Sequence, residues 1–309
     1  MKSGMDLISI HDLSAGDVEE ILALAADLKV RQKAGIPHPL LAGKTLGMIF
    51  EKSSTRTRVS FEVGMYQLGG QALFLSSRDL QLGRGEPIAD TARVLSRYLD
   101  GIMIRTYGHE RIEELARWAD VPVINALSDL LHPCQALTDL LTIREHKGRL
   151  AGLKMAYVGD GNNMTHSLMY AAAKVGMHFA AATPAGYEPN EKVVQNARAD
   201  ASETGASVTL THDPKEAVRD ADVVVTDTWA SMGQEEEHDA RTAVFRPYQV
   251  NPELLAAADA RAIVMHCLPA YRGEEITEDV FESFANVIFD EAENRLHVQK
   301  AIMALVMGG

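Results

Sequence analysis

Short apolar segments alternate with longer segments of helical periodicity along most of the chain. The apolar segments lie at residues 45–50, 71–75, 101–106, 121–126, 155–158, 179–182, 207–211, 222–226 and 262–265. Each is short enough for a buried strand, and most are followed by apolar residues spaced three or four apart, as in an amphipathic helix. The alternation predicts an α/β fold with parallel sheets, and such sheets bind ligands beside the carboxyl ends of their strands.

The length and charge of the chain limit its fold and its partners. Its 309 residues are enough for two α/β domains, and we expect a linker at 148–152 between domains spanning 1–148 and 149–309. The net charge of −13 argues against nucleic acid and against an anionic membrane surface as partners. The sequence has no long apolar run, no signal-peptide pattern and only two cysteines, so we expect a cytoplasmic location.

The stretch 51–62 joins the first predicted strand to a helix and is rich in hydroxyl groups and arginine. Residues 53–55 suit a helix N-cap, where backbone N–H groups have no partner within the helix and the helix dipole is positive. Arg56 and Arg58 beside those amides predict a pocket for a phosphate or a similar oxyanion. A capped helix with two solvated arginines is the alternative interpretation.

Further polar residues of the first half also follow predicted strands. Arg105 ends one apolar segment, and Pro133 is well placed to begin a helix with His132 and Gln135 at its mouth. A single histidine is usually structural, but beside an anion site an imidazole can donate to a carbonyl oxygen. The glycine-containing loop 76–87 suits an active-site flap or a subunit contact, and a plain surface loop explains it equally well.

The second half opens like a dinucleotide-binding unit. The strand at 155–158 is followed by Gly159-Asp160-Gly161-Asn162-Asn163-Met164 and a helix. Met164 stands where the fingerprint has its third glycine, and the next strand ends at Thr183 with no acidic residue to hold a ribose. A nicotinamide-dependent dehydrogenase is therefore an alternative with two features against it.

Amide, carboxylate and thiol side chains follow the strands of the second half. Asn162 and Asn163 at a helix start form a suitable cradle for a substrate carboxylate. Asp227 after a strand, followed by a long polar loop, suggests a cation site and a lid, with a helix cap as the alternative. Cys267 also follows a strand, although a buried cysteine is most often structural. A closing helix is expected at 290–307.

These motifs resemble the aspartate/ornithine carbamoyltransferase family. The first half carries what looks like its carbamoyl-phosphate signature: Ser54-Thr55-Arg56-Thr57-Arg58, Arg105 with His109, and His132-Pro133-Cys134-Gln135. The second half resembles the ornithine branch of the family in four places: Asn163, Asp227 to Gly233, His266-Cys267-Leu268-Pro269, and Arg295. The likeness covers essentially the whole chain.

The resemblance implies a reaction and an architecture. It implies transfer of the carbamoyl group of carbamoyl phosphate to the δ-amine of L-ornithine, giving L-citrulline and phosphate without a cofactor or a metal. It implies a carbamoyl-phosphate domain, then an amino-acid domain, with interdomain helices and a C-terminal helix that packs on the first domain. It also implies a homotrimer or a multiple of trimers, in which Gln81 reaches carbamoyl phosphate in a neighbouring subunit.

The resemblance also assigns roles to individual residues. The catalytic residues it implies are Arg56, Arg105, His132, Asp227 and Cys267. The carbamoyl-phosphate ligands it implies are Ser54, Thr55, Arg56, Thr57, Gln81, Arg105, His132, Pro133, Cys134, Gln135 and Arg295. The ornithine ligands it implies are Asn163, Asp227, Ser231, Met232, Cys267 and Leu268. Among the donors expected for the carbonyl oxygen of carbamoyl phosphate is the amide of Gln135.

Other functions remain open at this point. Within the family, the acceptor amine is alternatively aspartate, putrescine or an acylated ornithine. Outside it, the dehydrogenase is the next choice, and a catalytically silent ligand-binding homologue is disfavoured because every motif is intact. The sequence does not distinguish arginine synthesis from arginine breakdown.

Overall fold

The computed structural model describes residues 1–76, 85–230 and 237–308. The chain divides into two compact units: unit 1 is Met1–Leu141 with Asn294–Gly309, and unit 2 is Thr142–Glu293. Each unit contains one parallel sheet with helices, which confirms the predicted α/β fold class.

The sheet of unit 1 has four parallel strands in the order β2-β1-β3-β4. The strands are β1 (Thr45–Phe50), β2 (Gln71–Ser76), β3 (Gly101–Arg105) and β4 (Val123–Leu127). The strand order reverses between β1 and β3, so the turns that follow these two strands diverge and leave a crevice. Phe50 pairs in register with Arg105, so both strands end at the same edge of the sheet.

Five helices precede, connect or follow these strands. They are α1 (Ala15–Lys33), α2 (Thr55–Gln67), α3 (Ile88–Leu95), α4 (His109–Trp118) and α5 (Pro133–Lys147), and a 3-10 helix at Ile10–Asp12 precedes α1. Helix α3 ends at Leu95, where the hydroxyl of Ser96 bonds back to the carbonyl of Ala92 at 2.8 Å, a side-chain bond that competes with helix continuation.

Helix α2 buries one apolar face and exposes another. Phe61 and Met65 are completely buried, whereas Val59, Val63 and Tyr66, which also recur at helical spacing, are 51%, 37% and 81% exposed. The neighbouring β2 is an edge strand, and its Phe74 is 38% exposed. We call Val59, Val63, Tyr66 and Phe74 the α2–β2 face.

The sheet of unit 2 has five parallel strands in the order β7-β6-β5-β8-β9. The strands are β5 (Lys154–Val158), β6 (His178–Ala182), β7 (Val208–Thr211), β8 (Val223–Thr226) and β9 (Ile263–His266). The helices are α6 (Asn163–Lys174), α7 (Glu191–Thr204), α8 (Pro214–Val218), α9 (His238–Phe245), α10 (Pro252–Leu255) and α11 (Glu278–Ser283). Here the strand order reverses between β5 and β8, which places a second crevice beside the ends of those strands.

The last helix, α12 (Ala285–Met307), begins earlier than the expected residue 290. Its polar residues Glu291, Asn294 and Arg295 are at most 5% exposed, so this helix carries buried polar groups that need partners. The boundaries between the two units fall within α5 and α12.

Within the part of the chain that the structure describes, no helix is both long and apolar enough to cross a bilayer.

Candidate active site

In unit 1, the candidate site begins at the N-terminus of α2. Ser54 is the N-cap: its hydroxyl accepts from the N–H of Thr57 at 3.2 Å, and it donates to the hydroxyl of Thr57 at 3.1 Å. The first turn of α2, from Thr55 onward, therefore points backbone N–H groups and the positive end of the helix dipole toward the end of β1. The predicted strand, turn and capped helix are confirmed.

Arg105 is fixed at the end of β3 by the turn that follows β1. The carbonyl of Arg105 accepts from the N–H of Glu51 at 2.9 Å and from the N–H of Lys52 at 3.3 Å. The carboxylate of Glu51 binds the guanidinium of Arg111 at 2.6 Å and also accepts from the hydroxyl of Thr106. These bonds join the ends of β1 and β3, and they hold Arg105, which is 7% exposed, beside the start of α2.

A buried network connects α12 to α2 and α5 within unit 1. The guanidinium of Arg295 donates to Oε1 of Gln135 at 2.6 Å and to the hydroxyl of Thr57 at 2.8 Å. Nε2 of Gln135 donates to Oδ1 of Asp139 at 2.8 Å. The carboxylate on one side and the guanidinium on the other fix the amide, so its oxygen faces Arg295. One N–H of the amide is used on Asp139, and the expected role of Gln135 as a donor to a carbonyl oxygen stays a prediction.

His132 lies within a cluster of positive charge. Its pKa is well below the usual value because the side chain is buried and because four cationic residues act on it: Arg295, Arg105, Arg56 and Lys52. A neutral imidazole surrounded by cations keeps one N–H donor and adds no charge of its own. This cluster suits a ligand with several anionic oxygens.

Three predicted residues of the first half have other contacts. Pro133 begins α5, as expected. The thiol of Cys134 donates to the carbonyl of Asn125 at 3.4 Å, and burial raises its pKa to about 12, so its side chain belongs to the core. Arg58 binds Glu62 at 3.0 Å, and its guanidinium lies 3.8 Å from the centre of the Phe74 ring. Arg58 is therefore directed toward the α2–β2 face.

In unit 2, a carboxylate and a thiol meet at the ends of β8 and β9. Oδ1 of Asp227 accepts from the N–H of Thr228 at 2.8 Å and from the thiol of Cys267 at 3.2 Å. Oδ2 of Asp227 accepts from Nδ2 of Asn162 at 3.3 Å. Asp227 is 8% exposed, so its carboxylate is held in a largely buried position by three donors.

The turn that carries Cys267 is shaped by His266. Nδ1 of His266 accepts from the N–H of Leu268 at 2.9 Å, so its Nε2 carries the proton and donates to the buried Glu275 at 3.0 Å. Leu268 has a φ of 61°, which is uncommon for a branched residue and requires support from its surroundings. The ligand atoms of Asp227, His266 and Cys267 lie within 4.8 Å of one another, but both ring nitrogens of His266 are engaged. This arrangement is therefore not that of a metal centre.

Helix α6 begins at the same crevice of unit 2. Asn162 is its N-cap, with Oδ1 accepting from the N–H of Met164 at 2.9 Å and of Thr165 at 3.3 Å. Asn163 is the first residue of the helix. At Gly161, a Cβ would lie 2.4 Å from backbone atoms of the segment at 187–189, so only glycine fits this turn.

Asp160 and Arg241 form a buried ion pair near this turn. Desolvation raises the pKa of Asp160, the nearby charge of Arg241 opposes that shift, and Nε of Arg241 also donates to the carbonyl of Trp229 at 2.5 Å. The contact anchors the segment just before Ser231 and Met232. Those two residues, like Gln81, lie outside the described residues.

Sequence reasoning missed two residues that orient the predicted ones. Asn162 was recognised at the helix start, but its hydrogen bond to Asp227 was not predicted. Asp139 was not singled out at all. The spacing of Gln135 and Asp139, four apart on a helix, is a signal for side-chain contact that was present in the sequence.

Two protein-family models match this chain, one in each half. Residues 5–145 match the family model described as aspartate/ornithine carbamoyltransferase, carbamoyl-P binding domain. Residues 151–306 match the model described as aspartate/ornithine carbamoyltransferase, Asp/Orn binding domain.

Curated relatives and solved structures match over nearly the full length. Ornithine carbamoyltransferase of Carboxydothermus hydrogenoformans is 63% identical, over 99% of this chain and 98% of the relative. The crystal structure of the anabolic enzyme of that name from Campylobacter jejuni has a TM-score of 0.91 at 44% identity, covering 97% of each chain. The structure from Pyrococcus furiosus has a TM-score of 0.96 at 59% identity, covering 99% of this chain and 98% of the other. The chain belongs to the aspartate/ornithine carbamoyltransferase family.

Proposed function

We propose that the protein transfers the carbamoyl group of carbamoyl phosphate to the δ-amine of L-ornithine, giving L-citrulline and phosphate. The observation that carries the proposal is the cationic cluster around His132 in a protein of net charge −13. A local concentration of positive charge in an acidic chain is suited to an anionic ligand. The family models and the names of the relatives support the choice of substrates.

The phosphate of carbamoyl phosphate is assigned to the start of α2. Backbone amides of the first turn, with Arg56 and Arg105, would bind its oxygens and stabilise the charge that accumulates as phosphate leaves. Neutral His132 and the hydroxyl of Thr57 would donate to the carbonyl oxygen. In comparable oxyanion sites the loss of one donor costs on the order of 3–4 kcal/mol of transition-state stabilisation.

The acceptor amine is assigned to Asp227 and Cys267. An alkyl ammonium has a pKa near ~10.4, so fewer than about one in a thousand amines are neutral at pH 7. The carboxylate attracts the cation, one proton passes from the ammonium to solvent, and the neutral amine then attacks the carbonyl carbon. The bond from that carbon to the phosphate oxygen breaks, and the second proton, lost by the nitrogen as the C–N bond forms, goes to the departing phosphate. Asn163, Ser231 and Met232 are proposed to hold the α-amino and α-carboxyl groups.

A homotrimer, or a multiple of trimers, is the assembly proposed from the family resemblance, and the α2–β2 face supports the presence of a subunit interface. Its exposed apolar side chains Val59, Val63, Tyr66 and Phe74 lie on a helix and an edge strand, and both are common interface elements. Gln81, a few residues after β2, would then reach the site of a neighbouring subunit. A cytoplasmic location is proposed with it, and arginine synthesis as the role fits the relative from Pyrococcus furiosus, which is named anabolic.

A citrulline assay with a panel of amines tests the proposal. The purified protein should form citrulline from carbamoyl phosphate and ornithine, and it should use aspartate, putrescine and N-acetylornithine at least about a hundredfold less efficiently, as expected of a site built for polar groups. Calorimetry with NAD and NADP should give no binding signal. Micromolar binding of either nucleotide without citrulline formation would favour the dehydrogenase instead.

A further inference from the structure

The side-chain amide of Asn162 is used at both of its ends. Its oxygen accepts from the N–H groups of Met164 and Thr165, which are the orphan donors of the first turn of α6. Its nitrogen donates to Oδ2 of Asp227 at 3.3 Å. One small side chain therefore connects the start of α6 to the carboxylate at the end of β8.

The two contacts fix the orientation of this amide. A rotation that exchanged the oxygen and the nitrogen would place NH2 against two backbone N–H groups and an oxygen against a carboxylate. Both new pairs would be repulsive, so the helix cap determines which atom Asp227 meets. The first turn of α6 thus fixes the amide, and the amide nitrogen in turn fixes the orientation of the Asp227 carboxylate.

The groups around Asp227 show why the hydrogen bond from Asn162 matters for its orientation. Among the described residues, the titratable groups near the carboxylate are the thiol of Cys267, the imidazole of His266, the phenol of Tyr157 and the carboxylate of Asp160. Asp160 is paired with Arg241, and His266 is engaged by Glu275. Nδ2 of Asn162 is a neutral donor to Oδ2 of Asp227, whereas the thiol of Cys267 donates to Oδ1.

We propose that Asn162 is a positioning residue for the acceptor amine, because it holds the Asp227 carboxylate through the cap of α6. The inference rests on the proposed function, in which Asp227 receives the cationic end of ornithine. Asn162 itself need not touch the substrate. Its role is to leave Asp227 one orientation in which the carboxylate can receive the amine.

Two substitutions keep the helix cap and change only the donor. Serine and aspartate are both good N-cap residues, so Asn162→Ser and Asn162→Asp should melt within a few degrees of the wild type. Serine is too short to reach Asp227. It should therefore lower kcat/KM for ornithine at least about tenfold at every pH, while the Kd for carbamoyl phosphate changes less than about threefold.

Aspartate at this position should give a pH-dependent defect. At acid pH the pair of carboxylates shares a proton, and a protonated Asp side chain can donate to Asp227 as the amide does. As the pH rises the proton is lost, and two like charges face each other. The ratio of Asn162→Asp to wild-type kcat/KM for ornithine should therefore fall at least about tenfold between pH 5.5 and 8.5. A purely structural role would not produce this profile.

A double-mutant cycle tests whether Asn162 acts through Asp227. In an Asp227→Asn background, adding Asn162→Ser should change kcat/KM for ornithine by less than about twofold. An equal loss in both backgrounds, a flat pH ratio for Asn162→Asp, or wild-type ornithine kinetics in Asn162→Ser would each overturn the inference. If the wild-type protein forms no citrulline, the proposed function fails first, and the two failures are distinct.

Discussion

The thiol of Cys267 donates to Oδ1 of Asp227 across 3.2 Å, although the two residues are forty positions apart in sequence. The adjacent strands β8 and β9 end side by side, and parallel pairing brings the residues that follow them together. The Cys267 thiol, a weak donor, therefore occupies a carboxylate oxygen that is also available to the cationic group that Asp227 is proposed to receive. An incoming ammonium can replace the thiol hydrogen bond at modest cost, because S–H is a poor donor.

The first prediction concerns Asp227. Asp227→Asn keeps the shape of the side chain and removes the charge that attracts the amine. It should lower kcat/KM for ornithine by at least about a hundredfold, the scale seen when a site loses a key polar interaction. The Kd for carbamoyl phosphate should change less than threefold by calorimetry. Ornithine kinetics equal to those of the wild type would overturn the assignment of the amine site.

The second prediction separates the two arginines at the start of α2. Arg56→Ala should weaken carbamoyl-phosphate binding at least about tenfold, because a charge-assisted contact is worth roughly 1.5–3 kcal/mol, and turnover should nearly vanish. Arg58→Ala is the matched control, since that guanidinium is held by Glu62 and Phe74. Its Kd for carbamoyl phosphate should stay within about threefold of the wild type. The same loss in both variants would show that charge alone, rather than position, matters.

The third prediction concerns Gln81 and the assembly. If Gln81 acts in the site of a neighbouring subunit, mixed oligomers of Gln81→Ala and Arg56→Ala chains should regain activity. Some of their sites would contain the intact Arg56 of one variant and the intact Gln81 of the other. The check is a citrulline assay after denaturation and joint refolding, with each variant refolded alone as the control. Inactive mixtures in which native mass spectrometry detects exchanged subunits would contradict the prediction.

The fourth prediction follows from buried His132. Its folded pKa lies below the usual value of 6.5, so at lower pH the unfolded chain binds a proton that the folded chain excludes. The free energy of unfolding should therefore decrease as the pH falls below about 6.5, by as much as about 2 kcal/mol at pH 5. In His132→Gln this part of the decrease should be absent. Urea titrations of both proteins at pH 7.5 and 5.0 measure the difference, and identical decreases would refute the prediction.

The fifth prediction concerns Lys300, a fully buried lysine on α12. Its Nζ bonds to Gln67 at 2.8 Å and to His38 at 3.1 Å, and desolvation lowers its pKa from 10.5 to about 8. Between these values the unfolded chain keeps a proton that the folded chain has lost, so stability should rise with pH. From pH 8 to 9.5 the wild type should gain about 2 kcal/mol relative to Lys300→Met. The exposed Lys192→Met is the control and should follow the wild type.

Local patterns in the sequence were enough to predict the strands, their parallel pairing and the cap of α2. Each depends on residues close together in sequence, such as Ser54 and Thr57, whose contact is decided within one helical turn. Arg56, Arg105 and His132 lie close together, as strand ends at one edge of a parallel sheet indicate, whereas Arg295 was indicated only by the family resemblance.

The orienting residues were harder to predict because their roles depend on which atom of a side chain faces which neighbour. Asn162 reads as an ordinary helix cap until Asp227 is placed beside its nitrogen. For Gln135, only the positions of Asp139 and Arg295 show that the amide oxygen faces a guanidinium and that the amide nitrogen donates to a carboxylate. The exposed side of α2 was likewise indistinguishable from a buried one by periodicity alone.

The bond from Arg295 to Thr57 joins residues 238 positions apart and has a consequence for biosynthesis. A ribosome makes the whole of unit 2 after Thr57 and before Arg295. A growing chain can therefore form the strands of its first sheet early, yet its anion pocket lacks one of three arginines until α12 emerges. An interrupted translation product that ends before α12 would lack the Arg295 contacts to Thr57 and Gln135. The order of the chain thus delays completion of the proposed anion pocket until α12 has been synthesised.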